Sequence, residues 1–158
     1  MMSIEEKLVQ TLAEMGLTIS TAESCTGGMV ASAIVDIAGA SQVYNEGFIT
    51  YSNEAKMKYL NVSEETLEKH GAVSEEVVRE MAIGCRTATL SDLAVVTSGV
   101  AGPGGGTLEK PVGLVYLACA YKDIVESRSF KFDGDRTHIR KQATKEAIEM
   151  VMDLLENQ

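Results

Sequence analysis

Both prolines of the chain and six of its fourteen glycines fall between Gly99 and Gly113. No helix or strand interior accommodates such a run, because proline lacks the donor N–H and glycine loses the most backbone entropy on ordering. The segment is therefore a long loop, and the elements on either side must hold its ends. Leu93–Thr97 (LAVVT) leads into it, a short continuous apolar run of the kind a buried parallel strand needs. Residues 112–121 (VGLVYLACAY) lead out as a second strand. Residues 125–132 (VESRSFKF) follow across Lys122-Asp123, a link short enough for an antiparallel hairpin.

Upstream, strands alternate with helices. Ile4, Leu8, Leu12 and Met15 recur at helical spacing before Gly16, which predicts an amphipathic helix over 3–15. A β-branched strand over 17–22 (LTISTA) runs into Glu23-Ser24-Cys25-Thr26-Gly27-Gly28, after which Val30, Ala33, Ile34 and Ile37 mark one helical face. Gly47–Tyr51 reads as a strand and Asn53–Leu60 as a short helix. Ser63 and Ser74, each followed by two glutamates, read as caps of two more helices. The last helix, from about Asp135 to Leu155, carries Ile139, Ala143, Ala147, Met150, Val151 and Leu154 on one face. The pattern predicts one domain of three-layer α/β/α class, with a mixed, mostly parallel sheet that includes one antiparallel hairpin.

Composition excludes several functions. No apolar run approaches the ~18 residues that cross a bilayer, and the start MMSIEEKLVQ is not a secretion signal. With 23 acidic against 14 basic residues the formal charge is −9, which disfavours nucleic-acid polymers, whose affinity rests on clustered Lys and Arg. Cys25, Cys85 and Cys119 show no paired spacing and read as reduced thiols of a cytoplasmic protein. Two histidines without an HExxH pattern offer no zinc site, and Met81, Met150 and Met152 read as packing residues. No metal or organic cofactor is expected; a homo-oligomer is left open.

Three places carry chemistry. Ser24 lies in a small-residue turn between strand and helix, where its hydroxyl meets unpaired N–H groups of the kind an oxyanion requires; Ser24 or Thr26 as a plain helix cap is the alternative. Cys25 is a competing nucleophile, but His70 and His138 lie in polar helical settings with no evident pairing to it. Serine can instead be activated by a lysine whose pKa burial depresses. Lys56, five residues beyond Tyr51 in YSNEAK, is the favoured candidate, although spacing alone does not choose between it and Lys58, and a solvated surface lysine is the alternative. The loop Ser98–Thr107 (SGVAGPGGGT) lacks a P-loop lysine and is followed by a strand, so it is neither a Walker motif nor a dinucleotide fingerprint. Its convergent N–H groups suit an anion or planar ligand, with a flexible surface connection as the alternative. Arg136 and Arg140, one turn apart, offer an anion site or mere pairing with Asp133 and Asp135.

Taken together, Thr21–Gly28 (TAESCTGG), Gly47–Lys56 (GFITYSNEAK), Gly71–Ser74, Ser98–Thr107 and Lys110–Gly113 resemble the C-terminal domain of the CinA (competence/damage-inducible) proteins, over about residues 5–155. That family includes stand-alone nicotinamide mononucleotide amidohydrolases. The resemblance implies hydrolysis of the carboxamide to nicotinate mononucleotide and ammonia, with Ser24 as nucleophile, Lys56 as its base and Tyr51 as a positioning group. It singles out Lys56 over Lys58. The turn Cys25, Thr26, Gly27 and Gly28 is then expected to hold the oxyanion. Gly99, Ala101, Gly102, Gly104, Gly105, Gly106 and Thr107 are expected to hold the nucleotide, with Arg136 or Arg140 on its phosphate. The small-molecule nucleotide is the expected partner. Many relatives carry a molybdopterin-binding-like domain with a pyrophosphatase activity, which this chain is expected to lack. The rival readings are a non-catalytic pyridine-nucleotide sensor and a Cys25 hydrolase.

Overall fold

A computed structural model describes residues 1–157. Five strands form one sheet in the order β2-β1-β3-β4-β5: β1 Ile19–Glu23, β2 Tyr44–Ile49, β3 Leu93–Gly99, β4 Leu114–Tyr121 and β5 Ile124–Lys131. β1 pairs in parallel with β2 and β3, while β4 runs antiparallel to both β3 and β5. Four strands therefore share one direction and β4 alone opposes them, as expected for a mostly parallel sheet with one hairpin. The hairpin turns at Lys122-Asp123, with Tyr121 opposite Ile124.

Six helices cover both faces: α1 Ile4–Met15, α2 Met29–Val35, α3 Asn53–Leu60, α4 Glu64–His70, α5 Glu75–Thr89 and α6 Arg136–Glu156. The alternation along β3 explains the layers. Leu93 and Val95 pack with α1, α2 and α6, whereas Ala94 and Val96 pack with α4 and α5. On that second face Ala22, Ala94, Ala118 and Ala120 present only methyl groups, so α5 lies close against the sheet. Ser63 and Ser74 accept from Thr66 and Val77 N–H, capping α4 and α5 as predicted. Met81, Met150 and Met152 are buried core residues, and all three cysteines are free and buried. Among the described residues no helix is long and apolar enough to cross a membrane.

Boundaries moved where chain ends meet other elements. The predicted strand at 112 begins at Leu114, because Gly113 adopts φ 96° and bonds back to Val100. β2 begins three residues earlier than expected, since as an edge strand it carries the polar Asn45 and Glu46, which conceal its pattern. It ends at Ile49, and Ser52 then caps α3. Helix α2 stops at Val35; Ile37 lies beyond it yet still packs on the core.

Gly84 on α5 faces the end of α3 so closely that a Cβ there would overlap the Leu60 carbonyl oxygen. Gly84→Ala is expected to lower stability by about 3 kcal/mol or more, because the obstacle is backbone rather than a side-chain tip. Urea unfolding measures the loss, and an unchanged midpoint contradicts the close packing.

Candidate active site

The carboxyl ends of the three parallel strands β2, β1 and β3 lie side by side, and each delivers a polar residue: Thr50 just past β2, Glu23 and Ser24 at the end of β1, and Thr97 in β3. Glu23 is almost fully buried, yet its carboxylate is well supplied with donors. It accepts from Thr26 Oγ1 at 2.6 Å, Val30 N–H at 2.8 Å and Ala31 N–H at 3.0 Å. Glu23 thus serves the first turn of α2, whose cap residue Gly28 has no side chain to do so. The plain capping role open to Ser24 or Thr26 is not the one they play. Thr26 is tied inward to Glu23 and to Thr97 Oγ1 at 2.8 Å. The Ser24 N–H donates to the Thr97 carbonyl at 3.1 Å.

The Ser24 hydroxyl is turned instead toward Lys56. Nζ of Lys56 donates to Ser24 Oγ at 3.2 Å and to the Thr50 carbonyl at 2.8 Å, its only acceptors among the described residues. The lysine is 1% exposed and no carboxylate pairs with it, so burial lowers its pKa from 10.5 to about 8. Thr50, itself fully buried, has a hydroxyl with no hydrogen-bond partner. An ammonium without a counter-charge beside an unsatisfied hydroxyl costs stability. Lys58, by contrast, is exposed above the ring of Tyr59. Burial pushes the Cys25 thiol up to about 11, so it is protonated near neutral pH.

The remaining expected site residues divide into a rim and a projection. Tyr51 is 61% exposed, and its hydroxyl accepts from Arg136, which also donates to the Gly102 carbonyl at 2.9 Å. Arg136 thereby ties the base of the glycine loop to Tyr51. Ala101 and Gly102 are buried at that base, next to Gly99, while Gly104, Gly105, Gly106 and Thr107 project outward. Thr107 closes a small turn with Lys110, whose ammonium donates to the Val73 carbonyl. Arg140 is turned to the carbonyls of Cys25 and Thr26. Neither arginine pairs with Asp133 or Asp135 among the described residues; Asp135 caps α6 instead. Sequence reasoning gave no role to Glu23 or Thr97. The available signal was an acidic residue just ahead of a small-residue turn into a helix, and a threonine closing an apolar strand. No group of acidic, histidine or cysteine residues suited to a metal ion occurs among the described residues.

A family model for the CinA C-terminal domain matches residues 1–155. The chain belongs to the CinA C-terminal domain family. A CinA-like protein of Kosmotoga olearia is 52% identical over 149 residues, covering 94% of this chain and 36% of its own length. A CinA-like protein of Chloroherpeton thalassium is 49% identical, covering 98% of this chain and 38% of its own. The chain thus spans little more than a third of the curated relatives it matches. Among solved structures, the competence/damage inducible protein CihA from Agrobacterium tumefaciens superposes with a TM-score of 0.93 at 42% identity, covering 99% of this chain and 98% of that one. A CinA superfamily protein from Klebsiella pneumoniae gives 0.95 at 36% identity, over 98% and 97%. The CinA domain here thus shares its architecture along nearly its whole length with these proteins.

Because the Lys56 pKa is lower in the folded CinA domain than in the unfolded chain, the unfolded state holds this proton more tightly between pH 8 and 10.5. The wild type therefore gains stability from Lys56 as pH rises through that window and carries a constant penalty below it. Lys56→Met, of similar length and uncharged, is expected to be more stable than wild type at pH 7 by up to ~3 kcal/mol, with the gap narrowing from pH 8 to 10.5. The cysteines are retained in both proteins, so the difference reports Lys56 together with its charge coupling to Cys25. Urea unfolding of the pair across pH checks it, and a gap that widens with pH contradicts the burial argument.

Proposed function

We propose that this chain is a nicotinamide mononucleotide amidohydrolase acting as one unit, and the observation that carries the reading is the buried contact between Ser24 Oγ and Lys56 Nζ at 3.2 Å. A lysine with a pKa near 8 is neutral often enough to serve as a base, while a serine hydroxyl needs such a base to attack an amide. Neutral Lys56 takes the Ser24 proton as Oγ bonds to the carboxamide carbon. N–H groups of the Cys25–Gly28 turn hold the resulting oxyanion. Lys56 returns its proton to the amide nitrogen, the C–N bond breaks and ammonia leaves. Water, deprotonated by Lys56, then attacks the ester, releasing nicotinate mononucleotide and restoring Ser24.

The glycine loop, from Gly99 and Ala101 to Thr107, holds the nucleotide by backbone N–H groups. Arg136, exposed at the rim between Tyr51 and Gly102, is the arginine placed to reach its phosphate. Tyr51 orients that guanidinium. The negative surface does not conflict with a phosphorylated substrate, since one cationic position at the entrance suffices. A cytoplasmic setting follows from a substrate of nucleotide metabolism and from three unpaired thiols.

Ammonia release from purified protein supplied with nicotinamide mononucleotide tests the reading. Ser24→Ala and Lys56→Ala are expected to lower kcat by at least about a thousandfold, and Cys25→Ala to retain most of it. In wild type kcat/KM rises with pH through an inflection near 8 as Lys56 loses its proton. Binding without turnover in wild type points to a sensor, and loss confined to Cys25→Ala moves the nucleophile by one residue.

A further inference from the structure

The two arginines of α6 are alternatives for one phosphate in the sequence, and the structure sets them in different surroundings. Arg136 is exposed at the rim. Arg140 is partly buried and turned inward, its Nε donating to the Cys25 carbonyl at 2.9 Å and its Nη2 to the Thr26 carbonyl at 3.1 Å. The turn beneath it is closed by the Gly27 N–H on the Ser24 carbonyl at 3.1 Å. That bond holds the ends of the turn but leaves its central peptide, Cys25–Thr26, free to rotate, and this is the plane that differs between the two common turn types.

In a trans peptide the C=O and N–H point in opposite directions. With the guanidinium on the Cys25 carbonyl, the Thr26 N–H is directed away from Arg140, and it meets no acceptor among the described residues. The preceding peptide is arranged alike: the Ser24 carbonyl is taken by Gly27, and the Cys25 N–H meets no oxygen acceptor among the described residues, with only its own thiol beside it. Two consecutive donors without an oxygen acceptor therefore follow Ser24 directly. We propose that Arg140 is a positioning residue for the oxyanion, locking and polarising the Cys25–Thr26 peptide so that the Thr26 N–H joins that of Cys25 on the negative oxygen, and that it does not bind the substrate phosphate. A cationic donor on a peptide carbonyl draws electron density from the nitrogen and strengthens its N–H as a donor. Gly27 fits this arrangement, since it takes φ 57° and a Cβ there would stand 3.2 Å from Arg140 Nη2. The proposal rests on the reading of Ser24 as a nucleophile that generates an oxyanion.

Two measurements test it. The first compares Arg140→Lys and Arg140→Ala on nicotinamide mononucleotide and on nicotinamide riboside, which has no phosphate. The expected result is a loss of about 10- to 100-fold in kcat, equal for both substrates and with KM little changed. A loss confined to the phosphorylated substrate assigns Arg140 to the phosphate and overturns the proposal. The second uses no amide: an alkyl fluorophosphonate bonds to Ser24 Oγ through phosphorus as the serine proton passes to Lys56 and fluoride leaves. Intact mass is expected to show Ser24 labelled in wild type, labelled about 10- to 100-fold more slowly in Arg140→Ala, and partly rescued by methylguanidinium. Thermal melting verifies that each variant is folded at the assay temperature, and Arg140→Lys stands in if the alanine variant is not. Equal labelling rates overturn the proposal. If wild type releases no ammonia yet labelling still depends on Arg140, the substrate reading fails and this one stands; no label on Ser24 removes both.

Discussion

The buried carboxylate of Glu23 is the interaction on which the rest of the site depends. Three donors converge on it from Thr26, Val30 and Ala31, so one charge both terminates β1 and starts α2. A buried carboxylate is tolerated only when its lone pairs are filled, and here the filling groups are the turn that carries Ser24. The turn is therefore not a surface connection free to fluctuate. It is pinned at Glu23 from below, at Thr97 from the adjacent strand and at Arg140 from α6. Preorganisation of this kind is what separates a serine that can react from one that merely caps a helix.

Lys56 stands on the opposite side of the same balance. Where Glu23 is saturated with partners, Lys56 is buried with two neutral acceptors, one of them the Ser24 hydroxyl. That environment sets the protonation behaviour of the lysine. The lysine is pushed toward neutrality near physiological pH, and the neighbouring Cys25 thiol is pushed out of the range where it reacts. Ser24 and Cys25, adjacent in sequence, are thus set in different environments, the serine hydroxyl beside a buried lysine and the thiol desolvated.

The glycine loop anchors at both ends and projects between them. Val100 and Leu114 pair across its base, Arg136 grips Gly102, and Lys110 reaches to Val73. A segment with so little side-chain mass forms no core of its own, so its stability is borrowed from these anchors. Among the described residues the N–H groups of Ala101, Gly102, Gly104, Gly105 and Gly106 meet no acceptor, whereas those of Val100 and Thr107 are taken by Leu114 and Lys110.

The alternation of strands with helices, the hairpin at Lys122-Asp123 and the caps at Ser63 and Ser74 were legible in the residues, because local spacing and capping chemistry act over a few positions. So was the family, through the order of its motifs. The edge strand β2 was read late and short, since exposed Asn45 and Glu46 break its pattern. What no local pattern contains is which polar groups meet across the sheet. Spacing alone does not choose between Lys56 and Lys58, although the family resemblance prefers Lys56, and it is the docking of α3 over the end of β2 that buries one and leaves the other in water. Arg136 and Arg140 lie one turn apart on the same helix, yet α6 packs so that one reaches Tyr51 and Gly102 and the other grips the Cys25–Thr26 turn. The amino-acid sequence by itself determined the elements and the chemistry they carry; the burial, pairing and pKa of those groups were decided by tertiary packing, because desolvation and hydrogen bonding depend on neighbours distant along the chain.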